Sequence, residues 1–301
     1  MKKYLKRNWI LYAMLLIPVA YLLIFHYAPM FGLQIAFKDY KTKDGIWGSA
    51  WIGMKNFVKF FSNYKWKDYV KNTLSISLYT IFAGFPVPII LALLLHISER
   101  PFLKKFTQSV SYIPHFISTV VMVGIINQVF NPSTGLVGSF AQIFKIMQVP
   151  DVRSNPDSFY HLYVWSGIWQ SMGWDAIIYV SALSGVDPNL HEAAMLDGAS
   201  RLRRIWAVDL PAIAPTICIM LIMRFGSVMS VGYEKVYLMQ NSLNIAKSEI
   251  ISTYVYKAGL GNNQLAFGTA VGMMNSVVNT IMVFLVNGIV KKISDGEQNL
   301  F

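Results

Sequence analysis

The sequence predicts an all-α membrane protein built on six transmembrane helices, and three observations carry that expectation. Hydrophobic residues fill 54% of the 301 positions while charged residues fill only 14%, where soluble domains carry about 25%. The mean hydropathy is +0.44. A spanning helix needs about 20 mostly apolar residues, and such stretches recur near 9–27, 72–95, 110–130, 159–184, 212–232 and 266–290.

The stretch MKKYLKR before the first span resembles a signal-peptide n-region. The apolar run behind it is too long and lacks a small-residue cleavage site, so an uncleaved anchor is expected. Residues 28–71 then form a long outside segment, in which Phe57, Phe60, Phe61 and Trp66 suggest a short interfacial helix. The chain thus divides into an anchor with its loop (1–71), a core of five spans (72–290) and a tail (291–301). Pro18, Pro86, Pro88 and Pro114 fall within spans. Neighbouring helices satisfy the freed carbonyls there, and kinks are expected.

Juxtamembrane cations set the orientation. Lys2, Lys3, Lys6 and Arg7 abut the first span, and Arg100, Lys104, Lys105, Arg201, Arg203, Arg204, Lys291 and Lys292 fall on the same side. The positive-inside rule makes that side cytoplasmic, with both termini inside. The lysines between Lys38 and Lys71 break the pattern, but long loops obey the rule weakly. The net charge of +11 is explained by cations facing anionic lipid rather than by nucleic acid. Cys218 is the one cysteine, so no intrachain disulfide is available.

Residues 185–215 stand apart from the apolar runs around them. Asp187 is placed to cap a helix whose first residue is Pro188. That helix ends at Asp197-Gly198, where glycine takes the left-handed conformation. Ser200 caps a second short helix bearing Arg201, Arg203 and Arg204, and Pro211 and Pro215 mark entry into the next span. Two small capped helices between spans make a knob suited to a partner at the membrane surface.

The spacing of Glu192, Ala193, Ala194, Asp197, Gly198 and Ala199, followed by Trp206 and Leu210-Pro211, resembles the coupling loop of permease subunits in bacterial ATP-driven (ABC) importers. HYAPMFGLQIAFKDY (26–40), WIGMKNFVKFF (51–61), WQSMGWDAIIYVSALSGVDPNL (169–190) and GSVMSVGYEKVYLM (226–239) resemble the polysaccharide and oligosaccharide permeases related to the maltose system. The resemblance covers nearly the whole chain. It implies the type I importer permease fold in the bacterial cytoplasmic membrane. It also implies a second, similar permease, two ATPase subunits that bind ATP and magnesium, an extracellular binding protein and a carbohydrate substrate. In the hairpin 187–204, Glu192 would contact the ATPase, Ala193 and Ala194 would permit close packing, and Gly198 would make the turn.

Asp175 and Arg224 are the only carboxylate and the only permanent cation inside the predicted spans. At 1.5 Å per residue both lie roughly 14–18 Å deep. Charges at that depth pair or face a polar cavity, so two roles stand open: an ion pair that fixes helix register, or a lining of the translocation pathway. Trp169 and Gln170 offer a ring for stacking sugar C–H faces and an amide for hydroxyls. Asn275 and Asn279 are span amides, suited to interhelical hydrogen bonds or to pathway lining. Trp165 and Trp174 read as interfacial anchors. Glu234 and Lys235 fall just outside the fifth span, as contacts for a delivering protein or as solvated charges.

No GxxxxGK[ST] loop, nucleophile–base arrangement or metal-ligand spacing is present. The chain is expected to take its energy from another subunit. A secondary transporter would need coupling-ion ligands and usually internal repeats, and an intramembrane enzyme would need a catalytic constellation; neither is apparent.

Overall fold

In a bilayer every backbone polar group must be satisfied within the protein, which leaves helices as the way for this chain to cross. The computed structural model describes residues 7–145 and 150–293, and they are helical almost throughout. Lys2, Lys3, Lys6 and the tail beyond Ile293 lie outside the described residues. Among the described residues, four segments are long and apolar enough to span: Trp9–Phe37, Trp66–Ile97, Arg201–Phe225 and Leu265–Lys292. Pro101–Phe116 and Thr119–Val129, bent by 104°, make a fifth if counted as one broken span. The predicted stretch 159–184 lies in an uninterrupted 29-residue helix, Pro156–Ser184. That helix is about 44 Å long, but Trp165, Gln170 and Asp175 reduce its apolarity.

Two compact units organise the described residues. The first comprises the chain up to Tyr64 together with Val255–Met274. Helix α1 (Trp9–Leu22) contains Pro18 without ending there and continues as a wide turn to Tyr27 and a tight 3₁₀ segment to Phe37. The predicted boundary at residue 27 therefore falls short of the helical segment. None of its most apolar window is buried within the chain, which leaves that surface for lipid or another subunit. The segment expected outside is folded. Strands β1 (Lys38–Asp39) and β2 (Ala50–Trp51) pair antiparallel, and helix α2 (Lys55–Phe61) packs beneath them through Asn56, whose amide donates to the carbonyls of Ala36 and Lys38. Phe60 has no exposed surface, so it is a core residue rather than the interfacial one expected. Lys38 is also buried, with Nζ donating to the Ile46 carbonyl at 2.6 Å and lying over the Trp51 ring.

The second unit is Lys65–Tyr254 with the described chain from Asn275 on. Helix α3 (Trp66–Gly84) begins six positions before the predicted span and takes up Trp66, which was expected in the interfacial helix. It passes into α4 (Pro86–Ile97) at Phe85, where Pro86 and Pro88 remove two donors. The predicted span 110–130 is not one helix. Helix α5 (Pro101–Tyr112) tightens into a 3₁₀ turn at Pro114, Ile117 is extended, and Ser118 caps α6 (Thr119–Val129). A proline without a donor followed by a strong N-cap explains the break. After α7 (Leu136–Ile143), the long helix Pro156–Ser184 is α8.

Helix α8 is the axis of this unit, packing on α3, α4 and α5. At Gly173 the approach of α5 is so close that a Cβ would sit 2.1 Å from the Ser111 carbonyl oxygen. Only glycine fits. Ile89, Ala92 and Leu93 of α4 interlock with Ala176, Tyr179 and Leu183 of α8. Helix α9 (Pro188–Leu196) and α10 (Arg201–Arg204) follow, and a wide turn over Ile205–Asp209 leads into α11 (Leu210–Phe225). The predicted span 212–232 ends early, at Phe225. Gly226, Ser227, Ser230 and Gly232 are poor helix formers, and Asn279 accepts the Met229 N–H at 2.9 Å. The chain then turns into α12 (Tyr233–Met239), and the last described helix is α13 (Leu265–Ile293).

Candidate functional site

Two sites lie on α8 and α11: the hairpin that joins them and a polar cavity lined by the middle of α8 and the last turn of α11. In the hairpin, Asp187 Oδ1 accepts the Asn189 N–H at 3.0 Å, which with Pro188 satisfies the first turn of α9. At the other end Gly198 N–H donates to the Met195 carbonyl and Ala199 N–H to the Ala194 carbonyl, with Gly198 at φ +75°. Ser200 Oγ then accepts the Arg203 N–H and opens α10. Glu192, Ala193, Asp197 and Gly198 are exposed; Ala194 and Ala199 are half-buried. Leu196 is 90% exposed, Trp206 73% and Leu202 69%. A capped, compact knob therefore presents apolar side chains beside an acid, the composition of a docking surface. Arg201 bonds Glu99 at 2.8 Å across the exposed edge, a contact worth about 0.2–1 kcal/mol.

Deeper in the unit, α3, α4, α8, α11 and α12 enclose a cavity of about 210 Å³. Gln170, Asp175, Arg224, Tyr163 and Lys235 line it. A second hollow of about 160 Å³ shares Thr80, Ile81, Tyr163 and Arg224 with it and adds Ser227 and Ser230. Arg224 Nη2 donates to Asp175 Oδ2, so the two intramembrane charges pair across α8 and α11. They remain 22% (Asp175) and 43% (Arg224) exposed. Pairing and cavity lining are thus combined in the same two residues.

Lys235, expected as a contact for a delivering protein or a solvated charge, instead lines the cavity. Val236 and Met239 of α12 are buried against Ile76, Met122 and Phe159, and this anchoring turns the neighbouring lysine inward. Its Nζ donates to the Tyr163 carbonyl at 3.1 Å and lies 4.8 Å from the Tyr163 ring centroid. Gly167 leaves room for it: a Cβ there would stand 3.3 Å from Nζ. Burial pushes the Lys235 ammonium down to about 8. With Asp175 the cavity carries one acid against two cations. A helical period cannot reveal this, because α12 lies beyond the predicted span.

The remaining candidates divide. Gln170 lines the cavity, but its amide donates to the Ile117 carbonyl at 2.8 Å, the group freed where α5 and α6 part. Asn279 is occupied with the Met229 N–H and with Ser230 Oγ at 2.8 Å. Asn275 Oδ1 is buried with no hydrogen-bond partner, and neither asparagine lines the cavity. Trp169 is 44% exposed and also lies outside it. Trp174 stacks on His115 at 4.3 Å between centroids, and Trp165 Nε1 donates to Tyr79 Oη at 2.9 Å. Just before α8, Arg153 bonds Asp151 at 2.8 Å and holds that carboxyl below its usual range.

Comparison with known proteins identifies the family and the fold. The family described as "Binding-protein-dependent transport system inner membrane component" matches residues 73–295. The polygalacturonan/rhamnogalacturonan transport system permease protein YteP of Bacillus subtilis is 40% identical over 291 residues, covering 97% of this chain and 90% of its own. A bacterial ABC transporter involved in the import of the acidic polysaccharide alginate contains a chain that superposes with a TM-score of 0.88 at 36% identity, covering 97% of this chain and 98% of that one. The same comparison with the alginate ABC transporter in complex with an alginate pentasaccharide-bound periplasmic protein gives a TM-score of 0.89 at 35% identity, over 100% and 99% of the two chains.

Proposed function

The chain belongs to the binding-protein-dependent transport system inner membrane components, and from that premise we propose that it conducts acidic oligosaccharides through the cavity between α8 and α11. It is a multi-pass permease subunit of the membrane, working with a binding protein, a second permease and ATPase partners. Its substrate class rests on one observation above all. Arg224 and Lys235 converge on a cavity that holds a single acid, Asp175. A guanidinium and an ammonium recognise carboxylates by charge-assisted hydrogen bonds, and Tyr163 offers a ring to a sugar face. Relatives named for polygalacturonan and alginate support the same chemistry.

The hairpin 187–204 is the lever in this reading. ATP and magnesium bind the partner ATPases, whose closure displaces the hairpin and with it α8 and α11. Glu192 takes a charge-assisted contact on the ATPase, Ala193 and Ala194 permit close approach, and Leu196, Leu202 and Trp206 supply apolar area. Alternating access then follows the partner's nucleotide state.

The test is competition in the reconstituted importer with its binding protein, using a uronic-acid oligosaccharide and its carboxyl-reduced neutral counterpart. The acidic form is transported and the neutral form competes poorly. Arg224→Gln and Lys235→Gln lower transport of the acidic form selectively. Equal transport of both forms, with unchanged selectivity in the two variants, would overturn the assignment.

A further inference from the structure

Three residues distant in sequence meet where the hairpin joins the helices. His96 stands near the end of α4, His191 lies on α9, and Asp209 closes the wide turn before α11. Asp209 has no exposed surface. Neither of its carboxylate oxygens accepts a hydrogen bond, and the buried Nε2 of His191 is likewise without a hydrogen-bond partner. An ionised carboxylate sealed from water with no donor is strongly disfavoured. A positive partner at that point is what the geometry calls for.

The spacing identifies the kind of partner. His96 Nε2 lies 3.5 Å and His191 Nε2 3.2 Å from Asp209 Oδ1, and one ligand atom from each residue lies within 4.8 Å of the other two. A tetrahedral ion with bonds of about 2.0–2.1 Å holds adjacent ligand atoms about 3.3 Å apart. Two imidazoles with one carboxylate select a borderline ion such as zinc, whereas magnesium and calcium take all-oxygen sets. We propose that His96, His191 and Asp209 bind one divalent ion of the zinc class, fastening the hairpin to the end of α4. The hollow beside them, about 210 Å³ and lined also by Glu99, Arg201 and Arg204, admits the ion and a water as fourth ligand. Arg204 Nε, buried without a hydrogen-bond partner, gains an acceptor in that water. This accounts for Asp209 Oδ1, His191 Nε2 and Arg204 Nε among the orphaned polar atoms at the hairpin root. The spacing of these residues along the chain announces none of it, because the three ligands come from three elements.

The experiment uses the full chain with the subunits that co-purify, isolated without a histidine tag and stripped with chelator. Zinc is then added, excess is removed, and bound metal is counted by mass spectrometry. The expected result is about one zinc per chain, no retained magnesium, and a higher thermal midpoint with zinc, since a ligand of the folded state stabilises it. His96→Asn and His191→Asn each reduce the zinc to background. They lie on different helices, so one informs if the other fails to assemble. Wild-type protein that retains no zinc overturns the proposal whatever the variants do. So does zinc content unchanged in both variants. A midpoint that moves with pH between about 5.5 and 7.5 in metal-free and zinc-treated protein alike also overturns it, in favour of an imidazolium–carboxylate cluster.

Discussion

Asp175 and Arg224 give the sharpest test, because a structural pair and a substrate site predict different double mutants. Breaking a fully buried pair costs about 3–5 kcal/mol, and an exposed pair is worth about 0.2–1 kcal/mol. The pair falls between these limits, with Asp175 at 22% and Arg224 at 43% exposure toward a polar cavity. Its single charge-assisted hydrogen bond sets a coupling of about 1.5–3 kcal/mol. Asp175→Asn and Arg224→Gln are each expected to lower the thermal midpoint of the assembled complex, and the double variant to recover most of that loss. Uptake is expected to behave otherwise. Arg224→Gln removes a carboxylate partner, so transport of the acidic oligosaccharide stays low in the double variant even as assembly recovers. Additive assembly losses, with coupling below about 0.5 kcal/mol, would refute the pairing. Recovery of uptake together with assembly would refute the substrate role of Arg224.

Other perturbations follow from named contacts. Gly173→Ala places a Cβ against the Ser111 carbonyl and should cost about 1–3 kcal/mol by overpacking; an unchanged unfolding midpoint would mean that α5 and α8 are not so close. Gly198→Val puts a β-branched residue at φ +75°, which is expected to abolish ATPase co-purification and uptake while membrane insertion persists; normal ATPase capture would exclude the hairpin as the docking element. Lysine loses its charge as pH rises through its pKa, so uptake of an acidic substrate should fall through about pH 8, and Lys235→Arg, with a guanidinium that stays charged, should remove the fall. The isolated chain, lacking a phosphate-cradling loop, should show no saturable binding of a fluorescent ATP analogue.

How much of this was legible in the sequence depends on whether the signal was local. The hairpin was readable because caps act over three or four residues: Asp187, Pro188, Gly198 and Ser200 each do what their chemistry dictates. The depth argument also singled out Asp175 and Arg224, since lone charges near the midplane pair or face a polar cavity, and left open which of the two roles they take. Apolarity, by contrast, reports immersion and not backbone geometry. The run 110–130 stays apolar through Pro114 and Ser118 while the chain bends by 104°, and 212–232 stays apolar after the helix has stopped. Gln170 and Asn279 were sensible pathway amides by type. What occupies them are the Ile117 carbonyl and the Met229 N–H, groups that exist only because those two predicted spans are broken. Lys235 and Phe60 were misplaced for a related reason, as burial by distant elements leaves no periodic trace.

The breaks also explain how a hairpin could govern a cavity. Helix α8 runs without interruption from Gln170 and Asp175 to Ser184, three residues before the Asp187 cap, so about 14 Å of rigid rod runs from Asp175 to the helix end at the hairpin. Helix α11 leaves the same hairpin through the wide turn at Ile205–Asp209 and carries Arg224 in its last turn. The two arms of the lever therefore meet again at the ion pair. A displacement that moves both arms together preserves the pair. Under the proposed function, one that rotates α11 relative to α8 would break it and free Arg224 as the cavity changes access. The cost of that step is the coupling of about 1.5–3 kcal/mol assigned above. A ligand carboxylate that replaces Asp175 at Arg224 lowers it. If so, Asp175→Asn raises ATP hydrolysis in the absence of substrate by removing the latch, and a basal rate equal to wild type in a complex that assembles normally would rule the latch out.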